Sequence, residues 1–330
     1  VAHSANESIF IGSAAGSCNT NSYQTLIGGD AGRYLESGGS TVVVGWKANR
    51  GSSGNTTGYY NTSIGTCANF AVTTAGSTVA VGYKANASST TAGESVAVGT
   101  CALYSNTTGL YSTAVGHEAL MGSVSGIGNT AVGFRAGCCI TSCNNTAVGC
   151  SALRQTTTGG QNTALGAGVL YTNTGGTQNA AVGYNAMFNN QSGIGNAGFG
   201  QYSLHGNTTG CYNAGVGLNA GCNNTDGDCN VFHGYAAGRY LANGSTNLTS
   251  PDNSTYLGAC TRGAAVGDNN VTVIGHCACA CGDNTVSIGN ANVTATHING
   301  NLILPDIPTS DPGVANALWN DSGTLKVSSG

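Results

Sequence analysis

Fourteen cysteines carry the most obvious chemistry in this chain, and their spacing bears on whether that chemistry is metal binding or cross-linking. No two of them make the Cys-x-x-Cys pair of a zinc ribbon. Cys260 and Cys277 are 17 residues apart, each two places after the glycine of an apolar-Gly step. If those steps stack as parallel coils, the two Cα atoms lie about 4.8 Å apart, inside the roughly 4.4–6.8 Å span of a disulfide. Cys211 and Cys229, 18 apart in adjacent turns, are a second candidate pair. In His276-Cys277-Ala278-Cys279-Ala280-Cys281, alternation puts Cys277, Cys279 and Cys281 on one strand face. Three such faces converging would suit a soft metal, and stacked or disulfide-bonded thiols are the plainer reading.

The remaining candidates are fewer. His233 takes the place before a repeat glycine that is elsewhere Val, Ile, Leu or Phe. On a shared axis three imidazoles could hold a metal or, when protonated, an anion, and the alternative is a hydrated, hydrogen-bonded histidine. No other cofactor is expected. The 13 acidic residues are scattered, and Asp226-Gly227-Asp228 reads as a turn as readily as a carboxylate pair or calcium loop. We therefore expect no catalysed reaction. Trp46, Tyr83, Phe134, Tyr184 and Tyr235 follow repeat glycines, where they could stack on sugars or, more commonly, cover the bend and pack on the next coil. Fifteen Asn-x-Ser/Thr sequons occur, among them Asn55, Asn106, Asn207, Asn223 and Asn243. They are glycosylation candidates if the source is eukaryotic, and otherwise turn residues and polar ladders.

A repeat positions all of these groups. The hydrophobic-Gly-x-x-Ala signal places its glycine at Gly65, Gly82, Gly99, Gly116, Gly133, Gly149, Gly166, Gly183, Gly200, Gly217 and Gly234. Nine of those ten steps are 17 residues and one is 16. The register extends upstream through Gly12, Gly28 and Gly45 and downstream through Gly258, Gly275 and Gly289. A fixed short period means one supersecondary unit stacked on copies of itself. In Thr130-Ala131-Val132-Gly133-Phe134-Arg135-Ala136, alternation separates Thr130 and Val132 from Ala131, so Val132 is expected to face the core and Ala136 to be a second inward residue. Gly133 then allows the bend, and stretches such as Asn106-Thr107-Thr108-Gly109 turn the chain back. We expect about 16 coils rising roughly 4.8 Å each, about 75 Å in all, with stacked rows of Val, Thr and Asn.

Composition limits what such coils can do alone. Only 59 of 330 residues are Leu, Ile, Val or Phe, below the roughly 20% of a self-sufficient core. One or two branched side chains cannot offset the ordering of about 17 residues at 1–2 kcal/mol each. The expected fold is therefore all-β: a parallel β-roll or β-helix solenoid with ~17-residue coils, in an intertwined or side-by-side homotrimer. The ladder Val44, Val81, Val98, Val115, Val132, Val148, Val182, Val216, Ile274 and Ile288 would form the shared centre. Residues 1–295 are read as the repeat array, with insertions near 50–62 and 240–256, and 296–330 as a Pro-rich linker and short hairpin. Nine Lys and Arg make no basic patch, so no nucleic acid is expected as partner, and no apolar run suits membrane insertion. The start at Val1 without signal-like residues reads as a fragment, a processed product or part of something longer.

Ser77-Thr78-Val79-Ala80-Val81-Gly82-Tyr83-Lys84-Ala85 and Glu94-Ser95-Val96-Ala97-Val98-Gly99-Thr100-Cys101-Ala102 resemble the head repeats of trimeric autotransporter adhesins, left-handed parallel β-rolls of shorter period. The 17-residue version, with Asn-Thr-Ala-Val-Gly and Asn-Thr-Thr-Gly alternating, more closely resembles the repeat arrays of phage tail fibres and related virion structural proteins. The tail, Leu304-Pro305-Asp306-Ile307-Pro308 through Leu318-Trp319-Asn320-Asp321-Ser322-Gly323-Thr324-Leu325-Lys326-Val327, is similar to a C-terminal element of phage structural proteins. The resemblance implies a trimeric tail-fibre shaft or receptor-binding part, in the virion tail or extracellular. Its implied partners are itself, other virion tail proteins and a host cell-surface glycan or protein receptor. A bacterial adhesin head and a glycosylated extracellular filament subunit are the alternatives.

Overall fold

A computed structural model describes residues 7–20, 22–37, 39–52, 56–299, 307–313 and 317–329. Among them, a three-residue strand precedes every repeat glycine, from β1 (Ile9–Ile11) to β17 (Val286–Ile288). All seventeen form one sheet in which each strand pairs in parallel with the strand of the next coil. The register is residue for residue: β7 (Thr113–Val115) meets β8 (Thr130–Val132) as Thr113↔Thr130, Ala114↔Ala131 and Val115↔Val132. The protein is a parallel β-solenoid with one strand per 17-residue coil.

The rest of each coil is turn, held by backbone hydrogen bonds running along the stack. Counting from the repeat glycine as position 0, residues +2 and +4 have φ near +55°, as in Glu118 (56°) and Leu120 (49°). These left-handed residues aim their amides at neighbouring coils: Glu118 N donates to Thr100 O (2.9 Å) and Leu120 N to Ala136 O (3.0 Å). Non-glycine residues pay roughly 1–2 kcal/mol for that conformation, and a paired peptide group in every coil offsets it. The repeat glycine itself admits no side chain. Gly116 sits at φ +135°, and a Cβ there would lie 2.4 Å from Gly133 O.

The interior corrects one expectation. Ala131 and Ala136 are fully buried, whereas Val132 points outward and stays 37% exposed. The coil is too narrow for branched side chains at its strand centre, so alanine occupies it and the valines take the outer face. Volume is conserved around that centre. In six of the nine coils whose −2 residue is Ala or Gly, +4 carries Leu103, Leu120, Leu153, Leu170, Met187 or Leu204, all buried; the other three carry Asn86, Gly137 and Gly221 there. Where +4 is glycine, a larger residue fills the gap: Phe232 lies against Gly221 and Gly238, Ile140 against Gly137, and Leu26 against Gly32. Phe232 and Tyr256 stack with centroids 5.5 Å apart, and the buried Tyr256 hydroxyl donates to buried Asp268 (2.9 Å).

Two polar ladders complete the core. At position −4, Asn129, Asn145, Asn162, Asn179, Asn196, Asn213 and Asn230 are buried. Each side-chain oxygen in the run accepts the next coil's backbone N–H at −4; Asn196 N reaches Asn179 Oδ1 at 2.9 Å and Asn213 N reaches Asn196 Oδ1 at 2.9 Å. At +7, Asn190 donates to Asn173 (2.7 Å), Asn207 to Asn190 (2.8 Å) and Asn224 to Asn207 (3.0 Å). The chain divides into units 1–290 and 291–330. In the second, β18 (Leu318–Asp321) and β19 (Thr324–Val327) form an antiparallel hairpin across Ser322-Gly323, both at positive φ.

Removing one rung should be felt locally. Asn179→Ala strips acceptors from Asn196 N and a donor from Gly193 O. It should cost about 1–3 kcal/mol and speed hydrogen exchange at the Asn196 amide, while exposed Gln178→Ala leaves that amide unchanged.

Candidate functional site

The outer sheet face carries position −1. Val148 (36%), Leu165 (37%), Phe199 (43%), Val216 (39%) and Leu257 (41%) are exposed on it, in direct register from coil to coil. His233 belongs to this row, exposed between Val216 and Leu257. The ladder from Val44 to Ile288 therefore lies on the outside of the single coil. The aromatics after the repeat glycines do not bury themselves on the next coil: Trp46, Tyr83, Phe134, Tyr184 and Tyr235 are 47–53% exposed. Their contacts are partial, as where Phe134 stacks on His117 (5.5 Å) and Lys47 lies over Trp46 (4.1 Å).

The cysteines are all free thiols in this structure. Cys260 and Cys277 occupy equivalent left-handed positions in adjacent coils, and burial, then the neighbouring Cys277 thiol, push the Cys260 thiol up. Cys211 and Cys229 adjoin through their backbones (Cys229 N to Cys211 O, 2.9 Å), but the Cys211 thiol turns to Thr209 O (3.3 Å). Cys277 neighbours the His276 ring (3.4 Å), Cys279 donates to Cys277 O, and Cys281 contacts Ser287. Among the described residues, no group of three His, Cys, Asp or Glu side chains is close enough for a metal. Cys138 and Cys139 do approach, Sγ to Sγ at 3.3 Å.

The sequons divide by burial. Asn106 and Asn207 are interior, at 1% and 0% exposure, so the folded coil does not present them to a glycosylating enzyme. Asn55 lies outside the described residues. Asn223 is half-buried and tied to Arg239 O and Asn247. Exposed Asn243 accepts from the backbone amides of Ser245 and Thr246. Asp226 and Asp228 have separate partners: Asp226 accepts from Ser250 and Thr225, which hold its pKa low, and Asp228 accepts from Cys211 N (2.6 Å).

A second face emerges from the register. Eight of the nine basic residues lie past the bend: Lys47, Lys84 and Arg135 at +2, Arg262 at +4, and Arg33, Arg50, Arg154 and Arg239 at +5. Aromatic rings share the +5 row, where Tyr171 stacks on Phe188 (4.9 Å) and Phe188 on His205 (5.5 Å). Three cavities open along this face. The first, about 260 Å³, is walled by Tyr202, His205, Asn219, Cys222, Asn223 and Arg239. Arg239 also borders the second, about 160 Å³, with Tyr235, Tyr240 and Arg262. The third, about 340 Å³, joins Lys84 to Phe70 and Tyr104. Individual spacing did not reveal this face; placing each Lys and Arg in register would have.

The chain matches no family model and no curated protein sequence. Among the described residues, no helix is long and apolar enough to cross a membrane.

Thiol reactivity should follow this geometry. Burial and its Cys139 neighbour push the Cys138 thiol up to about 11, and burial raises Cys222. At pH 8 both should be alkylated later than exposed Cys139, Cys150 and Cys229, as read by peptide mass.

Proposed function

We propose that the chain is the shaft or distal part of a trimeric attachment fibre, most closely a phage tail fibre, and that it catalyses no reaction. One observation carries this reading: a row of Val, Ile, Leu and Phe at position −1 runs along the outer sheet face and is left uncovered by the chain's own fold. Covering each partly exposed side chain contributes roughly 1 kcal/mol. The sixteen apolar side chains of this one row together exceed the roughly 4–15 kcal/mol that association costs. A thin interior of alanine and asparagine gives the single coil little apolar reserve of its own. In the trimer the Val and Ile rows meet on an axis, with His233 as its one imidazole ring of three. The coils supply reach, and the exposed outer surface supplies attachment to a host cell.

Adjacent coils near the end of the array are stapled in this reading by a Cys260–Cys277 disulfide, suited to an extracellular particle. Its formation removes two hydrogens, so intact mass should rise by about 2 Da on reduction, and Cys260 and Cys277 should become alkylated only then. Fourteen alkylated thiols without reductant would remove the staple.

Light scattering on the native particle tests the architecture. A mass three times 32.6 kDa is expected. The double variant Val148→Asp/Val182→Asp, with charges on the outer row, should shift the particle to monomer while circular dichroism keeps its β signal. A wild-type monomer overturns the reading, and an open-ended mass distribution replaces it with an end-to-end filament.

A further inference from the structure

The face past the bend has a composition that a shaft does not require. Basic residues of the array are confined to positions +2, +4 and +5, whereas Asp226, Asp228, Asp252 and Asp283 lie on the returning turns, where Asp228, Asp252 and Asp283 accept backbone amides of neighbouring coils. Some cations are neutralised: Arg135 pairs with Glu118, and Arg33 and Arg50 with Asp30. Lys84 and Arg239 have no carboxylate within 4.0 Å among the described residues, and each borders a cavity containing aromatic rings.

The cavity beside Arg239 is the most complete. The guanidinium lies over the Tyr240 ring (4.8 Å), and its Nε is buried without a hydrogen-bond partner. Tyr202 meets His205 edge to face (5.4 Å), and Phe188 backs His205, so both rings are fixed in position. Burial lowers the pKa of His205, which favours the neutral ring at pH 7. Asn219 and Asn223 also line it, Asn223 with its amide nitrogen donating to Arg239 O and Asn247. At about 260 Å³ the space is smaller than the roughly 300–1,000 Å³ of a drug-sized site, and fits one ring-sized group. Arg239 joins it to the next cavity, which Arg262, Tyr235 and Tyr240 also line.

We propose that this furrow binds an anionic polysaccharide, with the carboxylate of one acidic sugar on Arg239, its hydroxyls on Asn219 and its apolar ring face on Tyr202 and His205. Guanidinium and carboxylate match in planar, bidentate geometry, and aromatic rings suit the C–H face of a pyranose. Single-stranded nucleic acid also uses cations and rings, but it carries one charge per nucleotide. Apart from the adjacent Arg239 and Arg262, the cations without a carboxylate partner among the described residues (Lys47, Lys84 and Arg154) lie two to five coils from the next, too sparse to follow such a backbone. For its biological use the proposal rests on the attachment reading above.

Calorimetric titration of the purified native particle tests it, with hexagalacturonate, neutral galactohexaose and a thymidine hexanucleotide as probes. Hexagalacturonate should bind at least about tenfold tighter than the neutral sugar. Arg239→Gln should abolish that preference, and Tyr202→Ala should weaken both sugars. Lys326→Gln, the same charge removed from the C-terminal unit, should change nothing. Asn219→Ala gives a second reading should Arg239→Gln fail to fold by circular dichroism, and it should weaken hexagalacturonate binding by about threefold or more. Absence of hexagalacturonate binding, equal binding by folded Arg239→Gln, or tighter binding of the oligonucleotide would overturn the proposal. A monomer that binds would refute the trimeric fibre alone, and a trimer that does not bind would refute the furrow alone.

Discussion

A seventeen-residue coil encloses very little volume, and that restriction shapes nearly everything else in the protein. Coils must stack at the strand spacing for their peptide groups to pair, so each level has room for two small side chains and one larger one. Alanine at the strand centre and after the bend meets that limit, with leucine at the corner. Where glycine takes the corner, Phe232, Tyr256, Leu26 or Ile140 fills the space from another position. The compensation crosses register positions while leaving the level's volume nearly constant, as close packing requires.

The same limit explains the buried asparagines. Turns facing a narrow interior leave backbone N–H groups there, and no helix or second strand is available to pair them. An amide side chain offers both donor and acceptor, and repetition lets each rung satisfy the next. The polar core is therefore saturated along most of the ladder, which is the condition under which burying such groups is tolerated. Glycine at each bend serves the stacking in another way. At Gly116 its missing Cβ lets the carbonyl of Gly133 come within a distance that any side chain would block.

Much of this was legible from residue spacing. The glycine period located every strand of the sheet, including β1 and β17 at its ends, because hydrogen bonding between coils demands equal spacing. Which strand face was interior was not legible. Alternation in Thr130-Ala131-Val132 separates two faces without saying which is enclosed, and ranking by hydrophobicity selects Val132 when room admits only Ala131. At Asn106 and Asn207 the local tripeptide left glycan acceptor and polar ladder both open, and both side chains lie buried in the coil. The furrow was hidden because Tyr202, His205, Asn219 and Arg239 come from three coils and gather only when the repeat is folded. In the proposed reading, outer valines and furrow divide the surface, one face taking another copy of the chain and the other a charged ligand.

The central claim is that the outer Val and Ile row is an interior shared between chains. An electron cryo-microscopy map of the native particle in cross-section addresses it directly. The account predicts three coils around an axis, with Val148, Val182 and Val216 from each chain meeting at the centre. A single coil, or coils joined through any other face with that row in solvent, would contradict it.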